Sequence, residues 1–374
     1  MLILLRKVKW KCCRNMVKKL QITQPVVQSY PATTEACAIL FSYKELYDWL
    51  MNSFIQIFEV ESNHAIDYYD FSIDNNPFLS YNELDYDFIY DTWKDIINLV
   101  KVSINHGYYL RVFLNKSKLK LYGTDQQIQH DVLIYGYDDK NEIVFLADHF
   151  QNGFFSMQSC TYKELIVAFD TYAVERFNIN PAFLNSVQLV KKEDSLMRLR
   201  YSMYSEKEMV EAMSINTLRI KNSLCDYINA APTCNWFSRG RMMDTVLQKS
   251  HRWGIECYEI LIDYVNSICE KDVNPTFARN SFFVSYNHKV VMLKRIEVLE
   301  KYGYLDNAFL HKQRVENLIR MAKRNMLAYI KYSIKEKEIE SSYAREREKI
   351  VTNIISMKNM DYLFVADLIN DVKF

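Results

Sequence analysis

Glycine and proline are scarce in this chain, and their scarcity limits what the chain can fold into. The 374 residues include only 7 Gly and 6 Pro, whereas average usage is about 7% and about 5%. Few tight turns can be built on these two residues, so we expect long helices to make up much of the chain. The same scarcity excludes glycine-rich phosphate loops, because neither GxxxxGK[ST] nor GxGxxG occurs.

The charges are balanced, and no long apolar run is present. The 47 Lys and Arg against 46 Asp and Glu give a net charge of +1, which favours neither nucleic acid nor an acidic lipid surface as a partner. No stretch approaches the roughly 18 apolar residues of a membrane span. Basic residues follow the apolar segment 1–5 at once, which is the reverse of the order in a signal peptide. We therefore expect a cytoplasmic protein with no integral membrane span and no nucleic-acid partner.

The cysteines do not follow the spacing of a metal or disulfide framework. They stand at positions 12, 13, 37, 160, 225, 234, 257 and 269, and no CxxC pair occurs. The irregular spacing argues against a zinc site, and the chain is long enough to bury a core without disulfides. Since HExxH and paired-histidine motifs are also missing, we predict no cofactor and no metal.

The hydrophobic pattern changes near residue 193. Before this point, periods of both helices and strands occur; after it, the pattern is helical. The pattern predicts helices at 36–51, 89–105 and 162–170, strands at 108–114, 119–123, 130–138, 141–150, 153–157 and 186–192, and then helices at 206–230, 240–270, 286–303 and 307–345. We therefore predict an α+β fold. A first domain, 1–193, would combine N-terminal helices with an antiparallel sheet, and a second domain, 194–374, would be all helical.

One predicted hairpin carries the clearest chemical signal, in the sequence HDVLIYGYDDKNEIVFLADHF. His130 opens its first strand and Asp148 ends its second, and the DDKN turn between them offers Asn141 for a positive φ. With a three-residue loop, the pairing register would place His130 and Asp148 on one face of the sheet. A carboxylate beside an imidazole fixes its tautomer and supports the imidazolium. The alternative is a histidine at a strand end that makes an ordinary hydrogen bond.

Cys37 is the candidate nucleophile that would complete such a site. It lies near the start of the first predicted helix, which Thr33 or Thr34 would cap. A helix N-terminus lowers the pKa of a thiol, because the dipole and the free N–H groups favour the thiolate. A thiol there, with a histidine from a later strand, is an arrangement for nucleophilic catalysis. The alternative is a small buried thiol packed with Ala36 and Ala38.

Weaker candidates flank this arrangement. Cys160 lies next to a predicted helix start, but it follows the histidine strand instead of preceding it. Gln24 and Gln28 lie upstream of Cys37, where an amide could stabilise an oxyanion. The candidate catalytic residues are therefore His130, Asp148 and Cys37.

Two parts of the sequence resemble a known family. NHGYYLRVFLN at 105–115 and HDVLIYGYDDKNEIVFLADHFQNGFFSMQSCTYKELIVAF at 130–169 resemble the amino-terminal domain of the butirosin-biosynthesis acyltransferase family. That family belongs to the papain-like cysteine peptidase superfamily and is similar to the bacteriocin leader peptidases. GIECYEILIDYV at 254–265 and NHKVVMLKRIEVLEKYGYL at 287–305 resemble its helical carboxy-terminal half.

The resemblance implies a papain-like fold, and it implies that His130 and Asp148 belong to a Cys-His-Asp triad. The implied activity is acyl transfer or amide-bond processing in bacterial peptide natural-product biosynthesis. A carrier protein or peptide would present the acyl or peptidyl thioester. Whether the chain forms a homodimer is left open, since the apolar stripe of the helical half could pack on the first domain or on a second copy. Pro31 stands where the family has its cysteine, and Cys37 lies six residues later. The alternative is a catalytically inactive papain-like scaffold that binds a peptide or carrier protein.

Overall fold

The computed structural model describes residues 17–60, 64–71, 73, 76, 78–93, 95–150, 153–175, 186–192, 213–233, 251–267, 274–334 and 340–373. Cys12, Cys13, Cys234 and Cys269 therefore lie outside the described residues. The strands are β1 (Val17–Lys19), β2 (Ile57–Val60), β3 (Ala65–Tyr68), β4 (Leu79–Asp85), β5 (Tyr109–Asn115), β6 (Gln129–Asp138), β7 (Ile143–His149), β8 (Phe155–Thr161) and β9 (Ser186–Lys192). The α-helices are α1 (Pro31–Leu40), α2 (Tyr47–Leu50), α3 (Tyr86–Trp93), α4 (Ile96–Asn105), α5 (Tyr162–Glu175), α6 (Thr217–Ile228), α7 (Cys257–Asn266), α8 (Pro275–Lys301), α9 (Ala308–Ile334) and α10 (Glu340–Asp371).

The predicted α+β class is confirmed, and the contacts within the chain divide it into two units. Met1–Gln21 and Ser80–Lys192 form the first unit, and Ile22–Leu79 and Glu193–Phe374 form the second. The predicted domain 1–193 includes Ile22–Leu79, so the predicted domains and the contact units differ in this segment. The segment lies with the C-terminal helices because their side chains bind its backbone. Arg295, for example, donates a hydrogen bond to the carbonyl oxygen of Met51 at 2.8 Å.

The first unit is built on an antiparallel sheet. Its strands follow the order β4-β9-β5-β6-β7-β8, and β1 pairs with the free part of β6 beyond β5. Helices α3, α4 and α5 pack on one face, where alternate residues of the central strands form a single buried cluster with the helices. Val132 and Ile134 of β6 belong to this cluster, as do Val144 and Leu146 of β7. Even-numbered positions in the His130 half of β6 and in β7 therefore face the helices.

The hairpin of β6 and β7 is closed by a four-residue loop. Asp138 pairs with Ile143 around residues 139–142, and the positive φ of +51° belongs to Glu142. The prediction of a three-residue loop with Asn141 at positive φ is therefore wrong. The Asp138 carboxylate accepts hydrogen bonds from the backbone N–H groups of Lys140 and Asn141, which holds residues 138–141 in the turn and leaves the positive φ to Glu142.

One extra residue in β6 shifts the register of this hairpin. Next to the loop, Gly136 pairs with Phe145, whereas beyond a bulge at Tyr135, Ile134 pairs with Leu146. A shift by one residue exchanges the faces to which the side chains of a strand point. The bulge thus restores at the open end of the hairpin the register that a three-residue loop would have produced.

Two elements of the first unit differ from their predictions. The segment 119–123 is not a strand; Lys120–Tyr122 form a 3₁₀ turn between Leu119 and Gly123, and Leu119 and Tyr122 are buried. The helix predicted at 89–105 is divided into α3 and α4, because the Asp95 side chain caps α4 by accepting a hydrogen bond from the N–H of Asn98.

Three long helices are the largest elements in the described part of the second unit. Helix α8 packs along α9, and α10 packs against α9 and α7. Helix α8 begins at Pro275, whose fixed φ suits a first helical position, and the Asn274 side chain accepts a hydrogen bond from the N–H of Thr276. The helices predicted at 286–303 and 307–345 therefore have different limits, and the last helix continues to Asp371.

Helix α1 begins five residues before its predicted start. Tyr30 is its N-cap residue, Pro31 occupies the first helical position, and no side chain caps the helix. Thr33 and Thr34 lie inside the helix, so the prediction that either is the cap is wrong. Beyond α1, the residues predicted as one continuous helix form a 3₁₀ turn, Lys44–Leu46, and the short helix α2.

A sealed polar cluster joins four helices of the second unit. The Nζ atom of Lys289 lies 2.5 Å from the Oδ2 atom of Asp361, and the Tyr227 and Tyr258 hydroxyls donate to the same oxygen at 2.6 and 3.1 Å. The Nδ1 atom of His288 lies 3.0 Å from the Lys289 amine. All five residues are buried. Burial lowers the pKa of Lys289 and the Asp361 carboxylate opposes this shift, so each of the two charges depends on the other.

We expect Asp361→Asn to lower the free energy of unfolding by about 3–5 kcal/mol, because the Lys289 ammonium would stay buried without a counter-charge. Urea denaturation at neutral pH, followed by circular dichroism, measures the loss. The matched control is Asp367→Asn on the same helix, which removes an exposed ion pair with Arg314 and should cost no more than about 1 kcal/mol. Equal losses in the two variants would contradict the prediction.

Candidate functional site

His130 and Asp148 meet at the open end of the β6–β7 hairpin. Leu133 of β6 pairs with Ala147 of β7, so both residues continue the rows of side chains that face the helices, and they lie diagonal to each other. The Nε2 atom of His130 is 2.9 Å from the Oδ2 atom of Asp148. The structure thus brings together the two side chains that the alternation of the strands predicted to share a face.

The carboxylate of Asp148 is fully buried and receives two donors on one oxygen. The Tyr122 hydroxyl donates to Oδ2 beside the His130 ring. The Oδ1 atom has no hydrogen-bond partner among the described residues, and the Nδ1 atom of His149 lies 3.6 Å from it. Burial alone would raise the pKa of Asp148, but the charge and hydrogen bond of His130, with the hydrogen bonds of the other donors, hold it well below its usual value. Asp148 is therefore ionised at neutral pH.

The environment of His130 favours its protonated form. Burial lowers the pKa of His130, but the charge and hydrogen bond of Asp148 outweigh burial, and the pKa lies above its usual value. Since an ionised Asp148 can only accept, the Nε2 atom of His130 donates to it, and Nδ1 is the nitrogen that can exchange a proton. The Nδ1 atom lies 3.7 Å from the Asp131 carboxylate, which binds Arg111. About 25% of the His130 side chain is exposed, in contrast to the fully buried Asp148.

A second histidine–aspartate pair shows what distinguishes the first. The Nε2 atom of His311 also lies 2.9 Å from a carboxylate oxygen, that of Asp371. There, however, the imidazole is 1% exposed and the carboxylate 29% exposed. In the His130 pair the burial is reversed, with a sealed carboxylate behind a reachable imidazole. A buried carboxylate with a partly exposed imidazole, as in the His130 pair, is the arrangement in which a carboxylate can orient a histidine that acts on a substrate.

Cys37 does not lie at a helix N-terminus. It is the seventh residue of α1, counted from Pro31, and its side chain is fully buried. Helix-dipole effects fall off within the first turn. Burial, with a smaller contribution from the negative charge of Asp70, raises the pKa of Cys37 well above its usual value. The prediction that this thiol is activated by the start of the helix is therefore wrong. Cys37 belongs to the second contact unit, and His130 and Asp148 belong to the first.

The weaker candidates are also engaged in packing or in local hydrogen bonds. Cys160 lies in the core of the first unit, and burial raises its pKa to about 12. The Gln28 amide donates to the carbonyl oxygen of Pro25 at 3.1 Å. Sequence reasoning missed Tyr122, because its segment was predicted as a strand. The sequence did hold one signal for this turn: Tyr122 stands just before Gly123, which takes a positive φ of 58° and ends the 3₁₀ turn.

Neither a protein-family model nor a curated protein matches this chain. The resemblance to the butirosin-biosynthesis acyltransferase family therefore stays a prediction. In the part of the chain that the structure describes, no group of three or more His, Cys, Asp or Glu side chains is placed to hold a metal ion. Among the same residues, no helix combines the length and the apolar character needed to cross a membrane.

We expect a histidine NMR titration to give His130 a pKa above 6.5, and Asp148→Asn to lower that pKa, since burial lowers it and the largest opposing contribution, the charge and hydrogen bond of Asp148, would be removed. Asp371→Asn is the matched control and should leave His130 unchanged. The His130–Asp148 pair stabilises the fold fully between about pH 3.9, the pKa of Asp in the unfolded chain, and about pH 6.5, the pKa of His in the unfolded chain. Its contribution declines as the pH falls through the lowered pKa of Asp148 or rises through the raised pKa of His130. An unchanged His130 titration in Asp148→Asn would contradict this assignment.

We expect iodoacetamide to label Cys37 in the folded protein at least about tenfold more slowly than Cys225, because a buried, protonated thiol reacts only when the structure opens. Cys225 is partly exposed, and mass spectrometry of tryptic peptides separates the two sites. His130→Ala should leave the slow rate of Cys37 unchanged. Fast labelling of Cys37 that depends on His130 would instead restore the cysteine-nucleophile model.

Proposed function

We propose that this chain is a papain-like acyl-transfer protein that acts on a carrier-bound acyl or peptidyl thioester, with His130 and Asp148 as its acid–base pair. The observation that carries the proposal is the 2.9 Å contact between a reachable imidazole and a fully buried carboxylate. The resemblance of residues 130–169 to the butirosin-biosynthesis acyltransferase family supports the choice of substrate and of bacterial peptide natural-product biosynthesis. A cytoplasmic location, and a carrier protein or peptide as partner, belong to the same proposal.

The proposed reaction needs one proton acceptor and one proton donor, and one histidine supplies both. The Nδ1 atom of His130 takes a proton from an acceptor amine while the amine nitrogen attacks the thioester carbonyl. The carbon–sulfur bond then breaks, and the imidazolium returns the proton to the leaving thiolate. Asp148 holds the ring through Nε2 and stabilises the imidazolium between the two steps. Water in place of the amine would give hydrolysis by the same route.

Cys37 has no part in this scheme. Its full burial and its raised pKa argue against a thiolate at neutral pH. A thioester is already an activated acyl group, so a general base that deprotonates the acceptor is sufficient for transfer. The proposal therefore retains the His130–Asp148 half of the predicted triad and replaces the cysteine step by direct attack of the acceptor.

We expect the protein to accelerate aminolysis or hydrolysis of S-acetyl-N-acetylcysteamine, and His130→Ala to reduce the rate by about 10²–10⁴-fold, the usual contribution of a general base. Cys37→Ala should retain the rate, and so should the control His106→Ala at the exposed end of α4. Chromatography of the released thiol gives the rates, and circular dichroism verifies that each variant is folded. A rate that His130→Ala leaves unchanged would contradict the proposed function.

The burial of Cys37 also favours a second candidate function, the inactive papain-like scaffold. Such a protein would hold a peptide or carrier protein without chemistry at the thioester. The two candidates differ in one measurement: a scaffold binds an acylated carrier protein in calorimetry but leaves its thioester intact. An active protein releases the acyl group in a His130-dependent manner.

A further inference from the structure

Ser29 lies directly before α1, and its hydroxyl points to a carboxylate. The Oγ atom of Ser29 donates to the Oδ1 atom of Asp67 in β3, and the N–H of Tyr68 donates to the same oxygen at 2.7 Å. The backbone N–H of Ser29 donates to the Oγ1 atom of Thr34 at 2.8 Å, which fixes the backbone at this position. Ser29 and Asp67 are both partly exposed. A hydroxyl and a base within hydrogen-bond reach are the elements of an activated nucleophile.

The start of α1 leaves two backbone donors unpaired beside this serine. Pro31 has no N–H, and the N–H of Thr34 donates to the carbonyl oxygen of Tyr30 at 3.0 Å. The N–H groups of Ala32 and Thr33 make no hydrogen bond with any described residue, and no side chain caps the helix. Unpaired N–H groups at a helix N-terminus stabilise negative charge. They are the type of donor that holds the oxyanion of an acyl-transfer intermediate.

A third donor next to Asp67 is also unpaired. The hydroxyl oxygen of Tyr30 is buried and has no hydrogen-bond partner among the described residues. Burial, and then the nearby charges of Asp67 and Tyr264, raise the pKa of Tyr30, so it stays protonated. An unsatisfied buried hydroxyl is costly.

Asp67 is suited to accept a proton at neutral pH. Burial raises its pKa to about 7, against the hydrogen bonds of Ser29 and of the Tyr68 N–H, which lower it. A general base is most effective when its pKa lies near the working pH. By contrast, the hydroxyl of Ser42, just after α1, donates to the carbonyl oxygen of Ile39, which is not a base. Ser29 is therefore distinguished by its partner and by its position at the start of the helix.

We propose that Ser29 is a nucleophile with Asp67 as its general base, and that this pair accepts an acyl group from a thioester with the free N–H groups of Ala32 and Thr33 stabilising the oxyanion. The class of donor rests on the proposed function. The nucleophile–base pair itself rests only on the contacts at the start of α1.

The atoms balance in this step without a further reactant. The Oγ atom attacks the thioester carbonyl while its proton passes to Asp67. The carbon–sulfur bond breaks, and Asp67 returns the proton to the leaving thiolate. The product is an acyl ester on Ser29, which an amine or water then cleaves to regenerate the hydroxyl.

Two probes test the proposal on the full chain. A fluorophosphonate reports a nucleophilic serine whatever its natural donor, and S-acetyl-N-acetylcysteamine reports acyl transfer from a thioester. Peptide mass spectrometry locates the label in the wild type, in Ser29→Ala, in Asp67→Asn and in the control Ser42→Ala. Thermal unfolding verifies the fold. Ser29→Cys adds a second readout that needs no change at Asp67, because the introduced thiol can be compared with Cys225 in labelling by iodoacetamide.

We expect fluorophosphonate to label Ser29 about 10²-fold faster than Ser42, with loss of this excess in Asp67→Asn and no change in Ser42→Ala. Acetylation of Ser29 by the thioester would support the donor class. Labelling by fluorophosphonate without acetylation would retain the pair and remove thioester chemistry. Labelling of Ser29 no faster than that of Ser42, or an introduced thiol in Ser29→Cys that reacts no faster than Cys225, would overturn the proposal. His130→Ala separates the two proposals, because it should leave fluorophosphonate labelling of Ser29 unchanged.

Discussion

The register of β6 against β7 determines whether His130 and Asp148 meet. A four-residue loop alone would set His130 and Asp148 on opposite faces of the sheet, and the extra residue at Tyr135 returns them to one face. The same part of β6 receives β1. A Cβ atom on Gly136 would lie 2.5 Å from the carbonyl oxygen of Lys18, so only glycine allows this approach. One bulge and one glycine thus fix the strand that carries the histidine.

Each unit contains a fully buried aspartate, Asp148 in the first and Asp361 in the second, and the two differ in the exposure of their partners. Asp361 lies with the Lys289 ammonium and two tyrosine hydroxyls in a cluster that water does not reach. Such a charge pair fixes how helices meet, and it offers no group to a substrate. Asp148 is equally buried, but its partner His130, near the open end of the β6–β7 hairpin, is about 25% exposed. The proposed acid–base role of His130 depends on this combination of a buried carboxylate and a partly exposed partner.

Sequence periodicity predicted the elements whose signal is local. The strands around 108–114, 130–138, 141–150 and 186–192 and the helical C-terminal region could be predicted, because alternation and helical spacing record which face is buried. Alternation also brought His130 and Asp148 to one face, although the loop length was wrong and the bulge compensated. The turn could not be predicted, because the Asp138 carboxylate sets it through hydrogen bonds that no periodicity records. The contact units could not be predicted either, since residues 22–79 are held by side chains more than 200 residues away, such as Arg295.

The position of a nucleophile depends on where a helix begins, and this is the least predictable feature of a helix. Placing the start of α1 near residue 36 made Cys37 a helix-terminal thiol; a start at Pro31 puts Cys37 two turns inside, where burial keeps it protonated. The same shift moves the free N–H groups to Ala32 and Thr33, next to Ser29. Pro31 explains why the helix starts there. Its fixed φ suits the first helical position, and it has no N–H group, which at this position would find no partner within the helix. Pro31, which stands where the resemblance predicts a cysteine, is thus also the residue that begins the helix near Ser29.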